Sequence, residues 1–351
     1  MKRVRVAVVG LGYWGPNLVR VLHELSETDL VWACDLDRSR LTTIKKRYPA
    51  VRPTSQFARV LKDPSVHAVA LATPISTHFD LASAALEAGK HVFVEKPLAA
   101  SSAQARQLMD LAQQRDRVLM PGHTFLYSPP VNAIYELISS GELGSIYFIS
   151  TSRVNLGIHQ SDVSVTWDLG PHDFSILRYW LGEAPVRVSA LSRGCVFPET
   201  PDVAFINLQF PSGTVAHVEL SWLAPSKLRR TAIVGSQKMV LYDDTSTEPV
   251  RIFDSGVTLP DPQTYGEYRL TYRTGDIVSP RVGVSEPLML QMRDFAAGIR
   301  NGRELRSSAD LGADVVRTIE AVDQSLAAGG TTIAIDDLAA SRAPSATSLV
   351  G

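Results

Sequence analysis

Short apolar runs alternate with amphipathic segments through residue 120 of the chain. Residues 4–9 form a β-branched run that ends in glycines, and residues 16–25 then carry apolar side chains at a helical spacing. The alternation predicts further strands at residues 30–34, 66–72, 91–94 and 118–120, and further helices at residues 38–47, 77–88 and 103–115. Repeated strand–helix units of this kind predict a Rossmann-type, doubly wound parallel sheet.

The pattern changes after Gly122, where strand-like segments follow one another with turn residues between them. We predict strands at residues 145–155, 185–195, 203–210, 215–222, 229–234 and 239–242, and helices at residues 131–140, 169–181, 289–300 and 309–326. This order predicts an α+β domain with a large open, mostly antiparallel sheet. The predicted α/β chain thus has a Rossmann domain at residues 1–123, an α+β domain at residues 124–340 and a flexible tail at residues 341–351.

Charge and cysteine content narrow the function classes. The 351 residues include 35 Lys+Arg and 36 Asp+Glu, so the chain has no excess charge to attract nucleic acid or an anionic membrane. Its two cysteines, Cys34 and Cys195, are too few for a disulfide scaffold, which fits a reducing cytosol. No window approaches the roughly 18 apolar residues of a membrane span. The sequence therefore predicts a soluble, cytoplasmic protein without a nucleic-acid or membrane partner.

A G-x-G-x-x-G turn closes the first predicted strand, with its glycines at Gly10, Gly12 and Gly15. Glycines permit a sharp turn there and let backbone N–H groups approach a pyrophosphate at the N-terminus of the following helix. Tyr13 and Trp14 lie within the same turn. A turn that serves chain reversal alone is the alternative, but the strand before it and the helix after it favour a dinucleotide site.

Asp35 closes the second predicted strand, 20 residues after Gly15. A carboxylate at this position accepts hydrogen bonds from the adenosine ribose hydroxyls and repels a 2′-phosphate, so the predicted cofactor is NAD. Arg38 and Arg40 lie nearby and can tolerate a phosphate, which leaves NADP as an open alternative.

Two further strand ends lie at the same predicted edge of the sheet, where doubly wound folds bind their ligands. Thr73 and Pro74 follow one strand and are expected beside the nicotinamide, together with His78, which is equally explained as a helix cap. Glu95 and Lys96 follow the next strand. A lysine beside a cationic nicotinamide has its ammonium form disfavoured, which suits it to proton transfer, although E-K-P also occurs as a solvated strand end.

Asp168 and His172 form a second candidate pair near the start of a predicted helix. Their spacing of four places both side chains on one helix face, so the carboxylate can orient the imidazole. Two structural explanations compete, because Asp168 can be an N-cap and His172 a buried core residue. A metal site using this pair with His159 or Asp162 is disfavoured, because no two histidines have helical ligand spacing.

Taken in order, these motifs resemble the Gfo/Idh/MocA family of oxidoreductases, which includes inositol dehydrogenases, glucose–fructose oxidoreductase and nucleotide-sugar dehydrogenases. The shared elements are G-L-G-Y-W-G, the strand-end aspartate, T-P-x-x-x-H, E-K-P and D-x-x-x-H, and they span nearly the whole chain. The resemblance implies that Lys96, Asp168 and His172 face the nicotinamide across a cleft between the domains and form the catalytic set.

Two departures from that family concern the substrate. Many members carry Asn-Arg after the sixth strand, where this chain has residues 123–127, and many carry an acidic residue three positions after the histidine, where this chain has Ser175. Tyr127, Arg153 and Asn155 are the additional candidate substrate contacts, although polar residues at strand ends are exposed by default.

The predicted reaction is the oxidation of a secondary alcohol on a sugar, nucleotide sugar or cyclitol, or the reverse reduction. His172 is expected to take the hydroxyl proton with Asp168 orienting its ring, while Lys96 polarises the carbinol oxygen, and the choice of formal base between Lys96 and His172 stays open. An NAD-dependent glycosidase and a non-catalytic nicotinamide-binding sensor are the alternatives. An open sheet must be covered, so a homodimer or homotetramer through the C-terminal sheet is expected, as the resemblance also implies.

Overall fold

The computed structural model describes residues 3–157, 159, 163–258 and 271–335, so the predicted tail lies outside the described residues. Six parallel strands form the first sheet in the order β3-β2-β1-β4-β5-β6. They are β1 (Val4–Val9), β2 (Thr28–Cys34), β3 (Arg52–Thr54), β4 (Ala68–Leu71), β5 (His91–Glu95) and β6 (Leu119–Gly122). The strand order reverses between β1 and β4, which is where doubly wound sheets open a ligand crevice. The predicted Rossmann-type sheet is confirmed.

Five helices pack on the faces of this sheet and with it form the N-terminal lobe. They are α1 (Gly15–Glu24), α2 (Arg38–Arg47), α3 (Phe57–Lys62), α4 (His78–Glu87) and α5 (Ser102–Gln114). Asp37 and Ser101 cap α2 and α5 by accepting hydrogen bonds from backbone N–H groups in the first turn. Strand β3 and helix α3 were not predicted, because three and six residues are too short to show a hydrophobic period.

Within the described residues, nine strands form the second sheet, in the order β14-β13-β12-β11-β7-β10-β9-β8-β15. They are β7 (Ile146–Val154), β8 (Arg187–Arg193), β9 (Val203–Gln209), β10 (Val215–Ser221), β11 (Leu228–Gly235), β12 (Met239–Asp243), β13 (Val250–Thr258), β14 (Thr271–Val278) and β15 (Ile333–Ala334). Only β7 and β10 pair in parallel among these strands, so the predicted mostly antiparallel sheet is confirmed. The strands β13, β14 and β15 are additional to the prediction.

The other α-helices in the described part of the chain are α6 (Pro129–Ser139), α7 (Val165–Leu181), α8 (Pro287–Asn301) and α9 (Ala309–Ala327), and with the second sheet they form the C-terminal lobe. Helix α7 covers the inner face of the sheet and begins four residues before the predicted start at residue 169. Ser164, not Asp168, is its N-cap, so Asp168 lies in the first helical turn. The prediction erred because Pro171, which lacks an N–H donor, is accommodated inside the helix.

Helices α8 and α9 belong to the second predicted domain in sequence but pack against the N-terminal lobe. Phe295 on α8 contacts Phe93 on β5, with ring centroids 6.0 Å apart. Gly312 on α9 lies so close to β6 that an added Cβ would be 2.7 Å from Pro121 Cγ. One hydrophobic core therefore joins the two lobes, and the boundary at residue 123 stays a prediction. None of the helices in the described part of the chain has the length and apolar character needed to cross a lipid bilayer.

Candidate active site

The glycine turn lies between β1 and α1 at the crevice of the first sheet. Gly10 has a φ of +88°, and a Cβ added there would lie 2.4 Å from the carbonyl oxygen of Ala72. A Cβ at Gly15 would lie 2.0 Å from Gly10 O. Around Gly12, by contrast, the nearest atom to an added Cβ is Nη1 of Arg40, at 3.8 Å. Two glycines thus allow the turn to close, and the third keeps its outer side open to a ligand.

Asp35 stands at the rim of this turn and is fixed by it. Its Oδ2 accepts a hydrogen bond from the backbone N–H of Leu11 at 2.6 Å, and its Oδ1 accepts one from Asp37 N at 2.8 Å. Arg40 Nη1 lies 3.5 Å from Asp35 Oδ2. An open glycine turn with a positioned carboxylate at its rim fits the pyrophosphate and adenosine ribose of a dinucleotide.

Tyr13 and Trp14 project from the turn differently. The Tyr13 side chain is almost wholly exposed, whereas the Trp14 side chain is about two-thirds buried. Burial raises the pKa of Glu95 to about 7, against the opposing effect of the Lys96 charge. Glu95 Oε1 is buried without a hydrogen-bond partner. Its other oxygen, Oε2, accepts a hydrogen bond from the backbone N–H of Lys96 at 3.3 Å, within the E-K-P strand end.

The segment after β4, at Thr73 and Pro74, is held by the buried side chain of His78. His78 Nδ1 lies 2.9 Å from Pro97 O, and its Nε2 lies 2.9 Å from Thr73 O, so both ring nitrogens are engaged by backbone carbonyls. Thr73 Oγ1 accepts a hydrogen bond from Thr77, whose short 3-10 turn begins after Pro74. The structure therefore brings Thr73 and Pro74 to the crevice edge, and it places His78 behind them, where it ties the ends of β4 and β5 together.

Lys96 connects the two lobes. Its Nζ donates to the backbone carbonyl of Asp168 at 2.7 Å and to Asp168 Oδ1 at 3.0 Å. Asp168 Oδ2 in turn accepts a hydrogen bond from Trp222 Nε1 at 3.3 Å. The expected alignment of the His172 ring by Asp168 is not formed, because the carboxylate is turned toward Lys96 and Trp222 and the buried His172 Nδ1 has no hydrogen-bond partner.

His172 lies one turn along α7 and is half-buried. The edge of the Phe125 ring packs against it, with ring centroids 4.9 Å apart. Burial holds the pKa of His172 well below its ordinary value, and the nearby charges of Lys96, Arg153 and Arg229 lower it further. The imidazole is therefore neutral near pH 7 and able to accept a proton.

The three additional substrate candidates differ in position. Arg153 is buried beside α7 and pairs with Asp173 through Nε at 2.5 Å. Asn155 follows β7 and pairs through its backbone N–H with Ser221 O at 3.1 Å, next to the Trp222 strand end. Tyr127 is buried elsewhere, and its hydroxyl donates to Asp294 Oδ2 at 2.7 Å. The structure thus brings Arg153 and Asn155 to the cleft region and uses Tyr127 to anchor α8.

Four further residues of the cleft were not singled out from the sequence: Trp222, Phe125, His123 and Arg229. Trp222 follows β10, which runs parallel to β7, so both strands end at the same edge, but this pairing has no signal in the sequence. His123 is fully buried, both of its ring nitrogens lack partners, and burial lowers its pKa to about 3. Among the described residues, no group of three or more His, Cys, Asp or Glu side chains could hold a metal ion, and Asp162 lies outside that part of the chain.

Comparison with known proteins identifies the family. Residues 4–123 match the family described as oxidoreductases with an NAD-binding Rossmann fold, and residues 131–241 match the GFO/IDH/MocA C-terminal domain. The chain is 26% identical to a 4-carboxy-2-hydroxymuconate-6-semialdehyde dehydrogenase from Sphingobium sp., covering 90% of this chain and 96% of the relative. It is also 26% identical to the scyllo-inositol 2-dehydrogenase (NAD(+)) of Bacillus subtilis, covering 86% of this chain and 87% of the relative.

A solved structure of GenD2 from gentamicin A biosynthesis, in complex with NAD, superposes with a TM-score of 0.81 at 26% identity, covering 96% of this chain and 97% of that one. The two family matches together cover about two-thirds of the chain, and they include the glycine turn, the E-K-P strand end and the start of α7. The chain therefore belongs to the Gfo/Idh/MocA family and is an NAD-binding dehydrogenase that acts on the CH–OH group of its donors.

Proposed function

We propose that this protein transfers a hydride between NAD and a secondary alcohol or ketone of a sugar, nucleotide sugar or cyclitol. The observation that carries the proposal is the contact of Lys96 with Asp168, which joins the cofactor-side strand end to the helix that holds the neutral His172. The inositol substrate named for the Bacillus subtilis relative makes cyclitols the first class to test.

We assign the cofactor to the edge where the glycine turn and the two strand ends meet. The residues proposed to line it are Gly10, Gly12, Tyr13, Trp14, Gly15, Asp35, Thr73, Pro74, Glu95 and Lys96, with His78 positioning the two strand ends from behind. When bound, NAD supplies the hydride acceptor of the oxidation. Arg40 beside Asp35 keeps NADP as a second cofactor to be assayed.

Lys96 and His172 are the two side chains proposed to act in acid–base catalysis. Two of the three N–H donors of Lys96 are held by Asp168, so the third is free to polarise the carbinol oxygen. His172 takes the hydroxyl proton as the general base, because its low pKa keeps the ring unprotonated. Asp168 positions Lys96, and Trp222 holds the carboxylate in place.

The test is an NADH absorbance assay with inositols, free sugars and UDP-sugars, using NAD and then NADP, on the wild type and on Lys96→Ala and His172→Ala. Both variants are expected to bind NADH by fluorescence yet to lose turnover by about a hundredfold or more. Lys62→Ala, at an exposed lysine on α3, is the matched control. Turnover retained by both cleft variants, or free sugar released without net NADH, would overturn the proposal.

We further propose that the outer face of the second sheet joins copies of the chain. In register across β10, β7, β11 and β12 lie the apolar side chains Val215, Phe148, Val234 and Met239. Phe148 and Val215 are each more than two-fifths exposed in the single chain. A contiguous apolar row on a sheet face is typical of a protein–protein contact, and a second copy offers the same row by two-fold symmetry.

A further inference from the structure

Two arginines face each other across neighbouring strands at the cleft end of the second sheet. Arg153 on β7 is the direct antiparallel partner of Arg229 on β11, so both side chains project from the same face, toward α7. Like charges in directly opposed positions destabilise a sheet unless negative groups lie between them. Asp173 pairs with Arg153, and Asp244 pairs with Arg229 at 3.0 Å. Among the described residues, each guanidinium therefore pairs with its own carboxylate.

These pairings leave donors unused. A guanidinium carries five N–H donors, and Nη1 of Arg153 is buried with no hydrogen-bond partner. Arg153 is itself more than nine-tenths buried, whereas the Arg229 side chain is 33% exposed and so is open to a ligand. Both guanidinium carbons lie over the ring of Phe125, at 4.7 Å for Arg153 and 5.6 Å for Arg229. A buried, unsatisfied donor beside an accessible arginine is the arrangement expected where a ligand completes the hydrogen bonding.

The two arginines lie close to His172, the proposed general base. Phe125, under both guanidiniums, also packs against His172. The groups whose charges lower the pKa of His172 are basic ones: Lys96, Arg153, His123 and Arg229. An anionic group bound at the two arginines would oppose their effect and raise the pKa of His172 toward the range in which it exchanges protons with substrate.

We propose that the substrate carries an oxyanion, a carboxylate or a phosphoryl group, which Arg229 binds with the help of Arg153 Nη1. This inference rests on the proposed function and names its substrate class: an acidic polyol, not a neutral one. The planar fork of arginine suits such recognition, because it donates two parallel hydrogen bonds to one oxyanion. Asp173 and Asp244 hold the two forks in place before the substrate arrives.

Binding of D-glucuronate, D-glucose 6-phosphate and D-glucose to the NADH-loaded protein, measured by isothermal titration calorimetry, tests this site without hydride transfer. At least one of the two anionic probes is expected to bind more tightly than glucose by about tenfold or more. Whichever of glucuronate or glucose 6-phosphate binds more tightly identifies the oxyanion as carboxylate or phosphoryl. Arg229→Gln is expected to abolish the preference, while NADH binding stays unchanged.

The matched control is Arg230→Gln, which removes the same charge from the next residue of β11, on the opposite face of the sheet. It is expected to keep the preference for the anionic probe. Equal or tighter binding of glucose, no binding of either anionic probe, or a preference that survives Arg229→Gln would each overturn the inference. Turnover of neutral polyols alone would contradict the arginine site but leave the proposed hydride transfer intact. Anion binding without turnover of any substrate would count against the hydride transfer but support the arginine site.

Discussion

At the scale of single residues, Gly10 shows how closely the glycine turn is packed. Gly10 combines a positive φ with a carbonyl oxygen 2.4 Å from where a Cβ would stand. Gly10→Ala is therefore expected to lower the free energy of unfolding by about 3 kcal/mol or more, since backbone strain and a steric clash add together. Urea unfolding of the protein without NAD measures this change.

Gly213 is the matched control for Gly10. Its φ of +90° is nearly the same, but nothing lies within 4 Å of an added Cβ. Gly213→Ala should thus show the conformational cost alone, about 1 kcal/mol. Equal losses in the two variants would mean that the contact with Ala72 contributes nothing to the constraint at Gly10.

The carboxyl of Glu95 makes a second residue-scale prediction, on pH. Its pKa is raised from 4.5 to about 7 by burial, so the folded protein holds this proton more tightly than the unfolded chain does. The resulting stability is complete below pH 4.5 and is lost as the pH rises through 7. Glu95→Gln, which mimics the protonated form, should be more stable than the wild type by about 2 to 3 kcal/mol near pH 8.

Urea unfolding without NAD, at about pH 4.5 and about pH 8, separates this effect from a change in packing. The difference between variant and wild type should be small at the lower pH and large at the higher one. A difference that is the same at both values would show that the amide alters packing and not protonation.

Part of the candidate site could be predicted from the sequence, but the directions of its side chains could not. The pattern placed Lys96 at a strand end and Asp168 near a helix start, but only the family resemblance implied that the two residues face one cleft. The partner of Asp168 could not be predicted, since the choice between Lys96 and His172 depends on how the two lobes meet. Arg229 was missed for a similar reason: its face of the sheet follows from its register with Arg153, which only the paired strands define.

At the scale of elements, the contact between α9 and β6 leaves no room for a side chain at Gly312. Gly312 lies in the middle of a helix, where alanine usually gains about 1 kcal/mol, but its Cβ would meet the rigid ring of Pro121 at 2.7 Å. Gly312→Ala is expected to lower the free energy of unfolding by about 1 to 3 kcal/mol, because α9 must move away from β6.

Gly298 on α8 provides the comparison in the same urea experiment. The nearest atom to its added Cβ is Cδ2 of Leu305, at 2.6 Å, the far end of a flexible side chain. Gly298→Ala should therefore cost less than Gly312→Ala. The reverse order would show that the contact of α9 with β6 adjusts more easily than the loop after α8.

The predicted elements also show which signals a single sequence carries. The buried strands β1, β4 and β5 were readable as mostly apolar runs, because both of their faces are covered. Strands β13 and β14 were missed, since Arg251, Asp254 and Arg273 interrupt any simple alternation along them. Polar residues of this kind are common in strands near a sheet edge, where charge discourages unwanted pairing.

At the scale of the whole molecule, the outer sheet face carries the prediction on assembly. Phe205 on β9 lies on the same face as Phe148, because Glu219 of β10 pairs with Phe205 on one side and with Ser152 of β7 on the other. Both phenylalanine side chains are 43% exposed, so Phe148→Lys combined with Phe205→Lys places two charges on that face. The pair should shift the molar mass measured by light scattering toward one chain, with unchanged circular dichroism. Val284→Lys changes a fully exposed apolar residue outside the sheet and should leave the mass unaltered. A wild type that is already monomeric, or a double variant of unchanged mass, would contradict the assembly.

The packing of α8 and α9 against the N-terminal lobe limits which parts of the chain can be exchanged between relatives. Phe93 is fully buried, and Phe295, from a segment some 200 residues later, packs against it. A fragment ending at residue 123 would leave that apolar surface open to water, so the cofactor lobe is not a portable module. An exchange of substrate specificity between relatives must graft loops onto an intact chain, or transfer residues 287–327 together with the first lobe.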